Sequence, residues 1–142
     1  MAVLAESCTA GLVADRFAQE PGASKVLWGS FVCYTIEAKI AMLGLDESML
    51  RNHGMVSCEC ACAMAEAAQK KSRAVLALSV TGLAGPGGDD RNTPVGTVWI
   101  AVKNADQRTE AQHFLFTGSR NEIRDKAAEK ALETLVRASG QI

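Results

Sequence analysis

An α/β fold is predicted: a single three-layer α/β/α sandwich around a mixed, mostly parallel sheet, with residues 1–142 as one domain. Three observations predict it. Short apolar runs alternate along the chain with stretches of helical spacing. Ala74–Val80 is almost continuously apolar, the pattern of a central strand buried on both faces. A chain of 142 residues, 48% hydrophobic and 22% charged, has enough apolar surface for one core and too little length for two ordinary ones.

The elements follow in order. Val3–Ala5 reads as a short strand and Thr9–Gln19 as a helix. Pro21-Gly22-Ala23-Ser24 is a turn. Val26–Tyr34, rich in β-branched and aromatic residues, reads as a strand. Ile36–Leu43 is a short helix stopped by Gly44, and Asp46–His53 another ended by Gly54. Ser57 is placed to cap a long Ala-rich helix through about Lys71. After the Ala74–Val80 strand comes a Gly/Pro/Asp loop, Thr81–Pro94. Val95–Val102 and Arg108–Phe116 read as strands of a hairpin turning at Asn104-Ala105-Asp106. Ser119 opens a final amphipathic helix to about Ala138, with Ile123, Ala127, Ala131, Leu132, Leu135 and Val136 at helical spacing.

Composition narrows the function classes. A net charge of −1 gives no electrostatic basis for non-specific nucleic-acid binding. No apolar run approaches the roughly 20 residues of a membrane span. The first residues are too short and too acidic for a signal peptide. Five Cys without paired spacing fit free thiols in a reducing compartment, so a cytoplasmic protein is expected.

Four motifs carry candidate chemistry. Glu6-Ser7-Cys8-Thr9-Ala10-Gly11 lies where a strand passes into a helix. Hydroxyls and a thiol there meet unpaired N–H groups and a favourable dipole, which suits an oxyanion or a phosphate; an ordinary Ser/Thr cap is the alternative. Thr81-Gly82-Leu83-Ala84-Gly85-Pro86-Gly87-Gly88 follows the buried strand, where open α/β sheets bind ligands and small residues admit close backbone approach. It matches neither a Walker loop nor a dinucleotide fingerprint, and a wide surface turn is the alternative. Tyr34-Thr35-Ile36-Glu37-Ala38-Lys39 offers a lysine that acts as a base only if burial or positive charge disfavours its ammonium form. The alternative is a solvated lysine beside Glu37 or Asp46. Arg120 and Arg124 share one face at a helix start, where cations oppose the dipole unless an anion joins them. That anion is either a ligand or a neighbour such as Glu122 or Asp125. Cys58, Cys60 and Cys62 lack Cys-x-x-Cys spacing, and only Cys58 and Cys62 share a helical face, so small core residues are expected rather than a metal site. His53 and His113 have no ligand-like partner nearby in sequence and read as ordinary surface or strand residues.

Taken together, these stretches resemble the CinA C-terminal domain family, the nicotinamide-mononucleotide deamidases. The family pattern Ala-Glu-Ser-Cys-Thr-Gly-Gly, Tyr-Ser-Asn-Glu-Ala-Lys, Gly-Ala-Val-Ser, Thr/Ser-Gly-Ile-Ala-Gly-Pro, Pro-Val-Gly-Thr-Val and Gly-Asp-Arg is met in order. The matching stretches are Ala5–Gly11, Tyr34–Lys39, Gly54–Ser57, Thr81–Pro86, Pro94–Val98 and Gly118–Arg120. The resemblance implies hydrolysis of nicotinamide mononucleotide to nicotinate mononucleotide and ammonia, without metal or cofactor, by a homo-oligomer. By position, Ser7 is the implied nucleophile and Lys39 its general base, with Tyr34, Thr81 and Arg120 assisting. Cys8, Thr9, Gly82, Ala84, Gly85 and Arg124 are the expected substrate-binding residues.

Two departures stand out. Ala10 replaces the first of the family's paired glycines; Ala is harmless at negative φ and strained at positive φ. Family members also usually carry a helix before the first strand, whereas this chain starts almost at that strand; either bare core surface or a truncated or alternative start is expected. Two other classes remain alongside the hydrolase. One is a non-catalytic nucleotide-binding or regulatory module, the other a metal or redox sensor built on the Cys run. A thiol variant of the hydrolase has Cys8 as nucleophile.

Overall fold

The computed structural model describes residues 1–140. Five strands, β1 (Ala2–Glu6), β2 (Leu27–Val32), β3 (Leu76–Gly82), β4 (Thr97–Asn104) and β5 (Glu110–Leu115), form one sheet in the order β2-β1-β3-β4-β5. β1 pairs in parallel with both β2 and β3, while β3–β4 and β4–β5 are antiparallel. Four strands therefore share one direction and only β4 opposes them. The helices are α1 (Leu12–Ala18), α2 (Ile36–Leu43), α3 (Glu47–His53), α4 (Cys58–Ser72) and α5 (Arg120–Ser139).

The two faces of the sheet carry separate cores. Leu4, Leu76, Leu78, Val80, Val98 and Ile100 pack with Val13 of α1 and Ile123, Ala127, Ala131 and Leu135 of α5. Val3, Ala5 and Ala77 point the other way, onto Leu43, Leu50, Cys60, Met64 and Ala68 of α2, α3 and α4. The alternating direction of side chains along β1 and β3 feeds both cores, which is why both strands are apolar throughout. Ala-rich α4 lies close against the sheet; Ser79 Oγ donates to the Ala61 carbonyl at 2.6 Å.

Helix ends fall at the capping signals. Ser57 accepts from Cys60 N–H at the start of α4. Ser119 and Glu122 form a capping box on α5. Gly44, at φ 68°, closes α2. Among the described residues no helix is long and apolar enough to cross a membrane.

Several boundaries differ from the sequence expectation. The first helix begins at Leu12, not Thr9, because Ala10 (φ 49°) and Gly11 (φ 97°) are left-handed and break helical continuity. β3 runs on through Thr81 and Gly82, which pair with Trp99 and Val98, so the glycine loop starts two residues later. β4 extends to Asn104, opposite Leu76, and pushes the hairpin turn into 105–109. The expected turn at 21–24 is a single 3₁₀ turn over Ala23–Lys25.

Candidate active site

Ser7 follows β1 directly, at the C-terminal ends of the parallel strands, and its N–H donates to the Val80 carbonyl at 3.0 Å. The turn beyond it is organised by Glu6, a fully buried carboxylate. Glu6 Oε1 accepts from the Thr9 hydroxyl (2.9 Å) and the N–H groups of Gly11 (3.2 Å) and Val13 (2.8 Å). Oε2 accepts from Ala14 N–H (3.3 Å) and the Ser30 hydroxyl (2.7 Å). A side-chain anion thus occupies the N-terminus of α1, the place where the sequence suggested that a ligand anion binds. Glu6 belongs to the motif, but its burial follows from the flanking strands β2 and β3, which the motif alone does not reveal.

Lys39 comes from α2, whose N-cap Thr35 accepts from Ala38 N–H. Its side chain is fully buried. Nζ lies 2.9 Å from Ser7 Oγ and donates to the Cys33 carbonyl at 2.9 Å. Neither Glu37 nor Asp46 pairs with it, and no ion pair among the described residues includes it. Burial pushes its pKa below the ordinary lysine value of 10.5, against a smaller opposing influence of Cys60, Cys33 and Cys8. These thiols are themselves held protonated: burial raises Cys8 and Cys60 to about 11 and Cys33 in the same direction. Burial among thiols, with no carboxylate paired to it, thus favours the neutral amine over the ammonium form.

A cavity of about 370 Å³ opens over this pair, lined by Ser7, Cys8, Tyr34, Thr81, Gly82, Ala84 and Arg120 among others. The Tyr34 hydroxyl accepts from Arg120 Nη2 at 2.8 Å, while Arg120 Nη1 donates to the Gly85 carbonyl at 2.5 Å. Arg120 therefore ties the glycine loop to the tyrosine across the mouth of the cavity. Thr81 is buried and donates to the Met55 carbonyl at 2.6 Å. Gly82 is needed for space: a Cβ there would sit 2.8 Å from Val98 Cγ2, 2.9 Å from the Thr97 carbonyl and 3.2 Å from Cys8 Sγ.

Other residues expected at the site lie elsewhere. Thr9 is fully buried with its hydroxyl on Glu6, and Gly85 is reached through its carbonyl by Arg120. Neither lines the cavity. Arg124 is turned under the Ser7–Gly11 turn, donating to the Cys8 (2.9 Å) and Thr9 (3.2 Å) carbonyls and to Asn121 Oδ1 (3.1 Å). Of the two acidic neighbours expected as alternative partners of the arginine pair, Asp125 instead binds Arg16 at 2.8 Å, and Glu122 accepts from the Ser119 N–H at 3.3 Å. On the remaining wall stand Leu50, Arg51, Gly54, Met55, Val56 and Asp89–Arg91, from α3 and two loops. Sequence reasoning gave most of these no role, because nothing in their spacing shows that α3 packs beside the glycine loop. In the Cys run, Cys60 is buried against Met64, and Cys58 and Cys62 are half-exposed. Among the described residues no group of three or more His, Cys, Asp or Glu is arranged to hold a metal ion.

Comparison with known proteins finds relatives that match over most of this chain. A "putative competence-damage inducible protein" of Caldicellulosiruptor bescii is 42% identical over 132 residues, covering 93% of this chain and 32% of its own length. A "CinA-like protein" of Mycobacterium marinum is 42% identical, with 94% and 32% covered. The chain thus spans about a third of the length of the curated relatives it matches. Among solved structures, the competence/damage inducible protein CihA of Agrobacterium tumefaciens superposes with TM-score 0.91 at 40% identity, covering 96% of this chain and 84% of that one. A CinA superfamily protein of Klebsiella pneumoniae 700603 gives TM-score 0.94 at 29% identity, covering 99% and 88%. The family description "CinA C-terminal domain" matches residues 1–139, and the chain belongs to that family.

Proposed function

We propose that this domain hydrolyses the carboxamide of nicotinamide mononucleotide, giving nicotinate mononucleotide and ammonia, through a Ser7 acyl-enzyme with Lys39 as general base. The observation that carries the proposal is the 2.9 Å approach of Lys39 Nζ to Ser7 Oγ, with the amine buried, no carboxylate paired to it, and Ser7 on the wall of a cavity. An alcohol is a weak nucleophile until a base takes its proton, and a lysine is such a base only when neutral.

The steps follow from these positions. The pyridinium ring of the substrate withdraws electrons and makes its carboxamide electrophilic. Neutral Lys39 accepts the Ser7 proton as Oγ attacks the carbonyl carbon, and the carbonyl π pair moves onto oxygen. The N–H groups of Gly11, Val13 and Ala14 are already committed to Glu6. The Cys8 N–H, beside the nucleophile, makes no main-chain hydrogen bond among the described residues and meets the oxyanion, with Arg120 assisting; the one hydroxyl proton of Thr81 is already given to the Met55 carbonyl. The tetrahedral intermediate collapses, the C–N bond breaks, and protonated Lys39 delivers its proton to the departing ammonia. Water then attacks the acyl-enzyme with the same amine as base, and Ser7 recovers its proton.

Cys8 is the weaker nucleophile candidate, since burial raises its thiol to about 11 and keeps it protonated at neutral pH. The test is ammonia release from nicotinamide mononucleotide. Wild type is expected to turn over, Ser7→Ala and Lys39→Ala to fall by at least about a thousandfold, and Cys8→Ala to keep a working nucleophile. Binding of the mononucleotide with no release by wild type selects the non-catalytic module instead.

A further inference from the structure

No step of the proposed hydrolysis uses Cys58 or Cys62, the two thiols that reach the surface. Cys8, Cys33 and Cys60 are buried, whereas these two are half-exposed. They sit in the first turns of α4, four residues apart on one face, where Cβ atoms lie about 5–6 Å from each other. Cys60, between them, turns inward against Met64 at 3.8 Å. Neither Cys58 nor Cys62 lines the cavity over Ser7. Packing does not demand sulfur at two half-exposed positions of an Ala-rich helix.

The two side chains meet. Burial, the Cys58 thiol that hydrogen-bonds to it, and the carboxylates of Glu66 and Glu59 raise the Cys62 thiol to about 12. Glu66 Oε1 accepts from the Thr109 hydroxyl at 2.6 Å, and Glu59 faces His53 Nδ1 at 3.7 Å. Neither carboxylate is paired with a lysine or arginine among the described residues. Negative charge therefore gathers around this pair, and the repulsion that keeps the protons on sulfur is relieved by a cation bridging the two thiolates. Among the described residues no third His, Cys, Asp or Glu completes a ligand set, which excludes the four-ligand cage of a structural zinc. Two thiolates alone suit a soft cation of low coordination number, and monovalent copper is the first-row ion of that kind.

We infer that Cys58 and Cys62 form a two-thiolate surface site for Cu(I), held within one chain and separate from the cavity over Ser7. On binding, both S–H bonds break, each sulfur gives its electron pair to the metal, and two protons pass to solvent. Copper and sulfur keep their oxidation states. The inference does not depend on the hydrolase reading.

The test is an anaerobic titration of Cu(I) in competition with bicinchoninate, using wild type, Cys58→Ser, Cys62→Ser and the double variant, with particle mass followed by light scattering. Wild type is expected to withdraw one Cu(I) per chain with no gain in mass, and more tightly as pH rises, because protons are displaced. Each single variant is expected to hold the ion at least about tenfold more weakly. The double variant, which keeps Cys8, Cys33 and Cys60, is expected to withdraw none. No withdrawal by wild type overturns the inference, and so does any variant that matches wild type. A doubling of mass on binding also overturns it, since two chains would then share the ion. A second measurement needs no substitution. One equivalent of Cu(I) is expected to shield Cys58 and Cys62 of wild type from iodoacetamide, as located by peptide mass. Undiminished alkylation at both positions overturns the inference.

Discussion

Lys39 is buried without a counter-ion, an arrangement that costs stability and that the proposed mechanism uses as its base. Between its depressed folded-state pKa and the ordinary 10.5, the unfolded chain carries a proton that the folded chain lacks. Stability therefore rises with pH through that window. Lys39→Met is expected to be more stable than wild type at neutral pH, and the difference to shrink as pH approaches 10. Urea titrations at several pH values check this; a pH-independent difference would contradict it. Ala10 is the second residue with a cost. It is exposed and sits at φ 49°, the strained branch of the expectation raised by its departure from the family glycine. It does not line the cavity. Ala10→Gly should raise stability by about 1 kcal/mol, or roughly 3 °C in Tm, with kcat for the mononucleotide unaltered. Thermal melts and steady-state rates measure the two halves of that statement separately.

At the scale of elements, the turn that carries Ser7 is held from three directions. Glu6 ties it to the first turn of α1 and to Ser30 of β2, Arg124 of α5 holds the Cys8 and Thr9 carbonyls, and the Ser7 N–H is fixed by β3. Glu6→Gln keeps the shape but removes the charge and turns one acceptor into a donor facing N–H and O–H groups. A loss of about 2 kcal/mol is expected from chemical denaturation, together with a lower kcat, because the turn places Ser7 against Lys39. Ser119→Ala removes the capping box of α5 and should cost about 1 kcal/mol. Its effect on turnover reports how firmly the start of α5 holds Arg120 against Tyr34 and Gly85.

At the scale of the whole molecule, the sheet order β2-β1-β3-β4-β5 puts Ser7 beside the end of β3 and lets α2 deliver Lys39 from one face while α5 delivers Arg120 from the edge of the cavity. The alternation of apolar strands and capped helices was legible in the chain because Ser57, Gly44, Gly54 and Ser119 are local signals with local effects. Ser7 and Lys39 were legible as types. Their contact was legible only through the family resemblance, since it depends on where the fold places α2, which no local pattern encodes. Arg124 and Thr9 carried the polar character expected of ligand groups, yet both are consumed in holding the turn. Arg51 and Arg91 gave no signal at all, because only the packing of α3 against a loop nearly forty residues away makes them neighbours.

The central claim is that a neutral Lys39 amine activates Ser7. The pH dependence of kcat/KM for nicotinamide mononucleotide tests it most directly. The account predicts an acid limb with a midpoint well below 10.5, set by Lys39, and the loss of both rate and limb in Lys39→Ala. A rate that is flat with pH across the range where the protein stays folded, or a Lys39→Ala variant with the wild-type profile, would contradict it.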